Sequence, residues 1–280
     1  AVKAIRCEML ERQRLEAWAG AYPPVRTPKR VLVVMAGNIP LVGFFDLLCV
    51  LASGHACRVK PSSKDTVLIG YVVDLLRTID PAIPLRMAEQ GERPDAVIAT
   101  GSDNANRYFR MLFGGIPSLL RGSRQSVAVL SGRETAAELS GLEEDIFSYS
   151  GLGCRNVSLL FLPRGYLPEL RCTALNEKYR RNYLRERALL RMRRMPFVDL
   201  DGAVLCEDRS FPAALSRIHY TFYDSLADVE AWLAAHDDRL QCVVSQCVRH
   251  SRRVAFGRAQ HPGLTDYADD VDTMRFLGTI

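Results

Sequence analysis

One cysteine stands between glycines, in the setting of this chain that most favours covalent chemistry. Cys154 lies in the segment 150–156, where Gly151 and Gly153 leave room for a close approach and Arg155 favours the thiolate. Of the eight cysteines it is the one outside an apolar or ordinary helical setting, and the cysteines show no metal-ligand spacing. A glycine-rich turn that happens to hold a thiol explains the spacing equally well. The residues alone therefore leave a nucleophile and a simple turn as open alternatives.

A second candidate is the asparagine of the segment Gly37-Asn38-Ile39-Pro40-Leu41. Asn38 follows an apolar run and precedes a proline that can open a helix. Its side chain is suited to capping that helix, which is the commoner role of such an asparagine. The same amide is suited to donating a hydrogen bond to an oxyanion.

Strand and helix patterns alternate through the first half of the chain. Short apolar, β-branched runs predict strands, and the segments between them have helical spacing. The predicted strands are 31–36, 56–59, 96–100 and 126–130, and the predicted helices are 3–19, 40–53, 64–78, 102–113 and 134–147. This alternation predicts an α/β fold with a doubly wound parallel sheet. Polar or glycine-containing segments follow three of the strands, at 37–38, 60–63 and 100–102, which favours a nucleotide site although no GxGxxG motif is present.

The second half is less regular and predicts a second α/β domain. Strands are expected at 157–162, 214–223 and 241–245, with a helix at 225–236 and a basic helix at 180–194. A solvated face is the favoured interpretation of the basic helix, ahead of a nucleic-acid contact. The predicted domains are a dinucleotide-binding domain at 1–147, a catalytic cysteine domain at 148–250, and a tail at 251–280 that returns to the active-site region.

Composition indicates a cytoplasmic protein that does not span a membrane. The longest apolar stretch, 39–57, contains Asp46, several glycines and His55, so it does not predict an integral membrane segment. No signal peptide is visible, and cysteines inside apolar runs are best explained as reduced thiols. The formal net charge of +5 is compatible with a polyanionic ligand such as a nucleotide or coenzyme A.

Four motifs, in this order along the chain, resemble the aldehyde dehydrogenase superfamily. They are GNIPL at 37–41, SGHACRVKPS at 53–62, ATGS at 99–102 and GLGC at 151–154. With RQSVAVLSG at 124–132 and the tail segment FGRAQHPGLTDYADDVDTM, they are most similar to the long-chain acyl-CoA reductases, the LuxC-like family. The resemblance runs from about residue 31 to the end of the chain.

The resemblance implies roles for individual residues. Cys154 would take the acyl group from a thioester, and Asn38 with the backbone N–H of Cys154 would form the oxyanion hole. His219 is the best histidine candidate for the proton donor, although a structural hydrogen bond is its commoner role. The implied cofactor-binding residues are Lys60, Pro61, Ser62 and Ser63 for the adenosine end, Gly101 and Ser102 near the pyrophosphate, and Glu207 on the nicotinamide ribose.

Two departures from the superfamily pattern refine the predicted reaction. Residues 120–124 match the segment whose glutamate activates water in hydrolytic relatives, but they contain no carboxylate, which favours reduction of an acyl thioester to an aldehyde. Ser63 and Lys64 stand where NAD-preferring relatives often have a glutamate, which favours NADPH over NADH.

The resemblance also has consequences for partners and leaves alternatives. It implies an acyl-CoA substrate, no nucleic acid, and a homo-oligomer or an acyl-transfer partner protein. The alternative activities are a semialdehyde or aldehyde dehydrogenase acting on a short acyl group, and a cofactor-binding subunit without catalysis.

Overall fold

The computed structural model describes residues 1–172 and 176–280. In chain order, the helices are α1 (Val2–Met9), α2 (Arg12–Gly20), α3 (Phe44–Ala52), α4 (Thr66–Ile79), α5 (Asp103–Phe113), α6 (Ala136–Phe147), α7 (Glu177–Met192), α8 (Leu226–Ala235) and α9 (Thr273–Gly278). The strands are β1 (Arg30–Val34), β2 (Ala56–Lys60), β3 (Leu85–Met87), β4 (Ala96–Thr100), β5 (Ser118–Arg121), β6 (Gln125–Val129), β7 (Val157–Pro163), β8 (Val198–Asp199), β9 (Val204–Glu207), β10 (Arg217–Tyr223), β11 (Leu240–Ser245) and β12 (Arg253–Val254).

The chain forms two compact units, each with its own sheet. Unit 1 comprises Ala1–Ser123 and Gly263–Ile280, and unit 2 comprises Arg124–Pro262. The sheet of unit 1 has the order β3-β2-β1-β4-β5 with every pair parallel. This is the doubly wound arrangement that the alternating pattern predicted, with the direction of winding reversing between β1 and β4.

The sheet of unit 2 has the order β12-β11-β6-β7-β10-β9-β8. Its pairs are parallel except that β8 runs antiparallel to β9 at one edge. The prediction of an α/β fold with a second α/β domain is therefore confirmed. Three of its strands, β8, β9 and β12, were not expected from the sequence, because runs of two to four residues carry no readable alternation.

The division between the units comes earlier than the domain boundary predicted at residue 147. The strand predicted at 126–130 was expected to belong with the first domain, but β6 pairs with β7 and β11 in unit 2. The C-terminal tail is also divided, since residues from Gly263 onward belong to unit 1. There the indole N–H of Trp18 donates to Tyr267 at 2.9 Å, and His55 Nε2 lies 2.9 Å from the Leu277 carbonyl oxygen.

The apolar positions of each strand explain how the helices cover the sheets. In unit 1, Val31 and Val33 face α3 and α4, while Leu32 faces the side covered by α5. This alternation follows from the two-residue period of a strand buried on both faces. The N-terminal segment predicted as one helix is interrupted, and Glu11 caps α2 by accepting from the N–H groups of Gln13 and Arg14.

A buried ion pair joins three elements of unit 1. On β5, Arg121 donates through Nη1 to both carboxylate oxygens of Asp46 on α3, at 2.5 and 2.6 Å. Its Nη2 donates to Thr273 Oγ1 on α9 at 2.7 Å. All three residues are buried, with Arg121 4% exposed and Asp46 6% exposed. Neither charge of such a pair can be removed without leaving the other unpaired in the core.

We predict that Asp46→Ala lowers the free energy of unfolding of unit 1 by about 3–5 kcal/mol, because it leaves the buried Arg121 guanidinium without a counter-charge. The matched control is Asp95→Ala, which removes the exposed pair with Arg30 and is expected to cost about 1 kcal/mol or less. The chain has two tryptophans, Trp18 in unit 1 and Trp232 in unit 2, so urea unfolding in a Trp232→Phe background reports on unit 1. Equal losses in the two variants would contradict the prediction.

Candidate active site

The loop that carries Cys154 begins with an unusual backbone turn. Three consecutive residues after α6, Tyr149, Ser150 and Gly151, have positive φ values of 52°, 54° and 65°. Left-handed backbone is unfavourable for a residue with a Cβ, so the turn persists only because surrounding contacts hold it. One such contact is made by Ser150, whose Oγ accepts a hydrogen bond from the backbone N–H of Asn176 at 3.2 Å. The turn brings the chain from the end of α6 to Cys154, just before β7.

Asn156 closes this loop onto the C-terminus of α6. Its side-chain amide donates to the carbonyl oxygens of Ser148 at 2.9 Å and of Asp145 and Ile146 at 3.1 Å each. Its Oδ1 accepts from the backbone N–H of Gly153 at 2.8 Å. The side chain is buried, so these contacts are shielded from water. One amide thus satisfies carbonyl groups that the end of a helix leaves unpaired and fixes the residue before Cys154.

Ser126 supports Cys154 from beneath. Its Oγ, on β6, donates to the Cys154 carbonyl oxygen at 2.9 Å and accepts from the Cys242 backbone N–H on β11 at 3.2 Å. The thiol of Cys242 also donates to Ser126 Oγ, at 3.1 Å. Burial raises the pKa of the Cys242 thiol to about 11, against an opposing effect of Arg155. Cys242 therefore stays a thiol that supports the loop.

Asp145 attaches a further segment to the end of α6. Its carboxylate accepts from the backbone N–H groups of Gly257 at 2.7 Å and of Ala259 at 2.9 Å. Burial raises the pKa of this carboxyl to about 7, although the two N–H groups oppose the shift. A Cβ on Gly141 would lie 2.8 Å from the backbone nitrogen of Gly257, so the segment can pack this closely only against a glycine. The end of α6 thus supports both this segment and the Cys154 loop.

Cys154 itself is exposed, and a cavity of about 250 Å³ lies beside its loop. Cys7 on α1 is the other exposed cysteine, and none of the eight forms a disulfide. The cavity is lined by Gly151, Gly153 and Asn156, by the starts of β6, β7 and β10, and by residues 212–215. Its polar side chains include Gln125, Ser158 and Arg217, which the sequence did not single out. No local motif marks these three, because only the sheet order brings them together.

His219 and Glu207 lie on neighbouring strands, β10 and β9. The ring of His219 is buried, and its Nδ1 lies 2.7 Å from the Ser210 carbonyl oxygen, which is the structural hydrogen bond considered commoner from the sequence. Within the described residues its Nε2 has no hydrogen-bond partner. The role of His219 as proton donor stays a prediction.

Glu207 and the Cys154 loop lie at opposite edges of the unit 2 sheet, and the role of Glu207 on the nicotinamide ribose stays a prediction. Glu207 ends β9 at the carboxyl edge of the unit 2 sheet, whereas Cys154 precedes β7 at the amino edge. Strands β7, β10 and β9 are mutually parallel, so these edges are opposite. The structure therefore does not bring Glu207 to the Cys154 loop. The segment that does reach the amino edge is 212–215, which follows Glu207 in the chain.

The remaining predicted residues lie together at the carboxyl edge of the unit 1 sheet. Two turns pack closely there, because a Cβ on Gly37 would lie 2.5 Å from Ser62 Oγ. The backbone N–H of Leu41 donates to the buried Asp65 carboxylate at 2.8 Å, which links the same turns. Helix α3 is capped by Gly43 and begins well after Asn38, so Asn38 does not cap it. Asn38 is exposed in the turn, and its predicted partnership with Cys154, which lies in the other unit, stays a prediction.

A cavity lies beside the turn that follows β2. In this turn Lys60 and Ser63 are exposed, and Pro61 and Ser62 are partly buried. The cavity has a volume of about 450 Å³ and is lined by Lys60, Leu32, Arg58, Phe113 and residues of the segment 88–94. Arg58 is paired with Glu92 at 3.1 Å.

The turn that follows β4 contains Gly101 and Ser102. Ser102 caps α5 by accepting from the N–H of Ala105 at 3.3 Å, and a Cβ on Gly101 would lie 2.9 Å from the Ala105 Cβ. The Ser102 hydroxyl thus serves its own helix.

Comparison with known proteins identifies the fold. No protein-family model and no curated protein matches this chain. Among solved structures, it is similar to a protein from Burkholderia cenocepacia described as an aldehyde dehydrogenase, with 16% identity and a TM-score of 0.60 over 86% of this chain and 66% of the other. For Staphylococcus aureus AldH in its substrate-bound state, the identity is 18%, the TM-score 0.57, and the coverage 89% of this chain and 67% of the other.

An aldehyde dehydrogenase from Mycobacterium tuberculosis complexed with NAD⁺ is similar as well. The identity is 17% and the TM-score 0.56, over 72% of this chain and 53% of the other. The chain therefore spans about half to two thirds of the length of these neighbours. Its fold is that of the aldehyde dehydrogenases.

We predict that Asn156→Ala lowers the free energy of unfolding of unit 2 by about 2–3 kcal/mol, because it leaves buried carbonyl and N–H groups without partners. Asn182→Ala is the matched control, since Asn182 donates only to the Lys178 carbonyl on the surface of α7 and should change stability by about 0.5 kcal/mol or less. Urea unfolding followed by Trp232 in a Trp18→Phe background measures both. An Asn156 variant as stable as the control would show that the amide does not hold the loop.

Proposed function

We propose that this protein reduces a fatty acyl-CoA thioester to the aldehyde with NADPH, through an acyl group carried on Cys154. The observation that carries the proposal is the Cys154 loop, in which an exposed cysteine lies on a backbone that is held by hydrogen bonds: Ser126 Oγ donates to the Cys154 carbonyl oxygen, and Asn156 Oδ1 accepts from the Gly153 N–H. A nucleophile needs this combination, because the sulfur must be reachable while its backbone keeps one position. The aldehyde dehydrogenase fold and the GLGC motif support the same assignment.

The first step transfers the acyl group between two sulfurs. The Cys154 thiolate attacks the carbonyl carbon of the thioester, the new carbon–sulfur bond forms, and the bond to coenzyme A breaks with release of its thiolate. The side-chain amide of Asn38 and the backbone N–H of Cys154 are the proposed donors to the oxyanion of the tetrahedral intermediate. Arg155, next in sequence, is the cation proposed to stabilise the thiolate of the nucleophile.

The fate of the acyl-cysteine depends on what can attack it. The stretch 120–124 contains no carboxylate, and its Arg121 is taken up by the buried pair with Asp46. Leu120 and Arg121 therefore offer no general base to activate water. Hydrolysis to the acid is unassisted, which supports reduction to the aldehyde.

The carboxyl edge of the unit 1 sheet fits a nicotinamide dinucleotide. Lys60 at the end of β2 and the 450 Å³ cavity beside it offer a cation and an enclosed surface for the adenosine end. The exposed Ser63 and Lys64 place a small residue and a cation where a 2′-phosphate can be accepted, which supports NADPH over NADH. When bound, the reduced nicotinamide supplies the hydride for the acyl carbon. The carbon–sulfur bond to Cys154 then breaks, which releases the aldehyde and returns the sulfur of Cys154. His219 is the proposed donor of a proton to the departing thiolate.

A second candidate is favoured by the cavity beside the Cys154 loop. Its volume of about 250 Å³ is modest, and Gln125, Ser158 and Arg217 give it polar character. The Arg217 guanidinium is partly neutralised, since its Nη2 donates to Glu186 at 2.6 Å. Such a lining suits a short acyl group with a polar end, as in a semialdehyde dehydrogenase, better than a long alkyl chain.

The test is cofactor oxidation with acyl-CoAs from acetyl to palmitoyl and with succinyl-CoA, each with NADPH and with NADH. We expect NADPH oxidation that requires an acyl-CoA, releases free coenzyme A, and falls about a thousandfold or more in Cys154→Ala. Cys7→Ala changes the other exposed cysteine and should keep full activity.

The chain-length profile separates the candidates. Highest kcat/KM for long acyl chains supports the fatty acyl-CoA reductase, and highest kcat/KM for succinyl or acetyl groups supports the short-acyl enzyme. Turnover unaffected by Cys154→Ala would contradict both. Binding of NADPH without turnover of any acyl-CoA or aldehyde would instead support a cofactor-binding subunit.

A further inference from the structure

One segment of the chain has a large net positive charge. Residues 177–195, which comprise α7 and the three residues after it, carry eight Lys and Arg against two Glu, a net charge of +6. The whole chain has a net charge of +5, so all other residues together, with 29 Lys and Arg against 30 Asp and Glu, have a net charge of −1. The net charge of α7 and the three residues after it is therefore as large as that of the whole protein.

The packing of α7 determines which of its residues face outward. Tyr179, Tyr183, Glu186 and Leu190 are buried, and they recur at spacings of three and four residues along one face. The opposite face contains an apolar stripe with the same four-residue spacing, Leu184, Ala188 and Met192. Leu184 is 50% exposed and Met192 is 80% exposed.

Arginines flank this stripe on both sides. At 100° per residue, Arg180 and Arg191 lie on one side of the stripe and Arg185 on the other, while Arg181 lies within the angular range of the stripe, one turn before Leu184. All four are exposed. We call these seven residues, the three of the stripe and the four arginines, the basic face of α7. The three residues after the helix, Arg193, Arg194 and Met195, are also basic or apolar, and they are exposed.

The acidic side chains that the structure pairs with α7 leave most of this charge uncompensated. Glu186 is buried, and its carboxylate is bound by Arg217 Nη2 on β10 at 2.6 Å and also lies 3.7 Å from Arg185 Nε. On the helix surface Glu177 pairs with Arg181, and Asp199 pairs with Arg187, which lies outside the basic face. Of the basic face, Arg180 and Arg191 take no part in these ion pairs, so they contribute most to the positive potential of the outward face.

The mixture of residue types indicates what this face contacts. Exposed apolar side chains also occur on other helices, such as Val67 and Ile79 on α4, but in α7 they lie among arginines. A polyanion such as nucleic acid requires only the cations. An anionic bilayer surface uses both, since arginines bind the lipid phosphates while apolar side chains enter the boundary between headgroups and acyl chains. The described part of the chain contains no helix with the length and apolar character of a membrane span.

We propose that the basic face of α7 docks on the surface of a bilayer that contains anionic phospholipids, with its arginines at the phosphates and Leu184 and Met192 inserted below them. The proposal is independent of the reaction that Cys154 performs. It assigns a binding partner to a helix whose exposed residues play no part in the candidate active site.

The test is co-sedimentation of the whole chain with vesicles of phosphatidylcholine, alone or with about one third phosphatidylglycerol. We expect binding to the anionic vesicles to be at least about tenfold tighter than to neutral ones, and to weaken with added salt. Leu184→Ser with Met192→Ser should reduce binding about tenfold through loss of insertion. The matched control is Val67→Ser with Ile79→Ser on α4, which changes two residues that are 84% and 72% exposed and should leave binding unchanged.

A charge series completes the experiment. Arg180→Gln, Arg185→Gln and Arg191→Gln together should abolish the preference for anionic vesicles. The same number of exposed arginines elsewhere, Arg77→Gln, Arg107→Gln and Arg110→Gln, should not affect the preference. The proposal is overturned if both triple variants lose binding equally, or if the serine variant binds vesicles as tightly as the wild type. Arginine-dependent binding of single-stranded DNA with no vesicle binding would also overturn it, in favour of a polyanion site.

Discussion

The hydrogen bonds of one buried amide, that of Asn156, determine where the candidate nucleophile lies. A helix ends with carbonyl groups that have no partner within it, and at the end of α6 three of these are taken by Asn156. The same side chain binds Gly153, the residue before Cys154. The left-handed turn at 149–151 is unfavourable by itself. It is held by these contacts and by the hydrogen bond that Ser150 Oγ accepts from the Asn176 N–H. Without them, the exposed thiol would have no defined position.

Beneath the loop, the support is built from the strands of the second sheet. Ser126 bridges β6, β11 and the Cys154 carbonyl, so the register of two strands is transmitted to the loop. Asp145 performs a similar role on the other side of α6, where it binds two backbone N–H groups of the segment 257–259. The loop is therefore an extension of rigid elements, as catalysis by an exposed nucleophile requires.

At the edge of the first sheet, close packing around glycines acts together with the hydrogen bond from Leu41 to Asp65. Gly37 lies against Ser62, and a Cβ on Gly43 would lie 2.3 Å from Met35 Cγ. These glycines let the turns after β1 and β2 pack against each other and leave Asn38 and Lys60 exposed. The glycine of the GNIPL motif is thus explained by packing, independently of any ligand.

Much of the fold could be predicted from local patterns, because β-branched runs such as 31–34 and 96–100 and the helices between them are long enough to show a period. The short strands β3 and β5 could not, and neither could the position of β6 in the second sheet, which depends on pairing with β7 and β11. Cys154 was recognisable from its glycines. The role of Asn156 was not, since its partners lie 8 to 11 residues earlier in the chain and become neighbours only through the turn. The edge of the sheet at which Glu207 lies could not be predicted for a related reason, because motif order does not show which edge of a sheet a residue occupies.

The central claim, that Cys154 carries the acyl group, is tested most directly by intact-mass spectrometry of the protein after exposure to an acyl-CoA without reduced cofactor. The account predicts a mass increase equal to one acyl group, located on the Cys154 peptide, with release of one equivalent of coenzyme A. The adduct should persist in buffer, because the stretch 120–124 has no carboxylate to activate water, and should disappear when NADPH is added. An adduct on Cys7 or another cysteine, or no adduct in a protein that still consumes NADPH, would contradict the account.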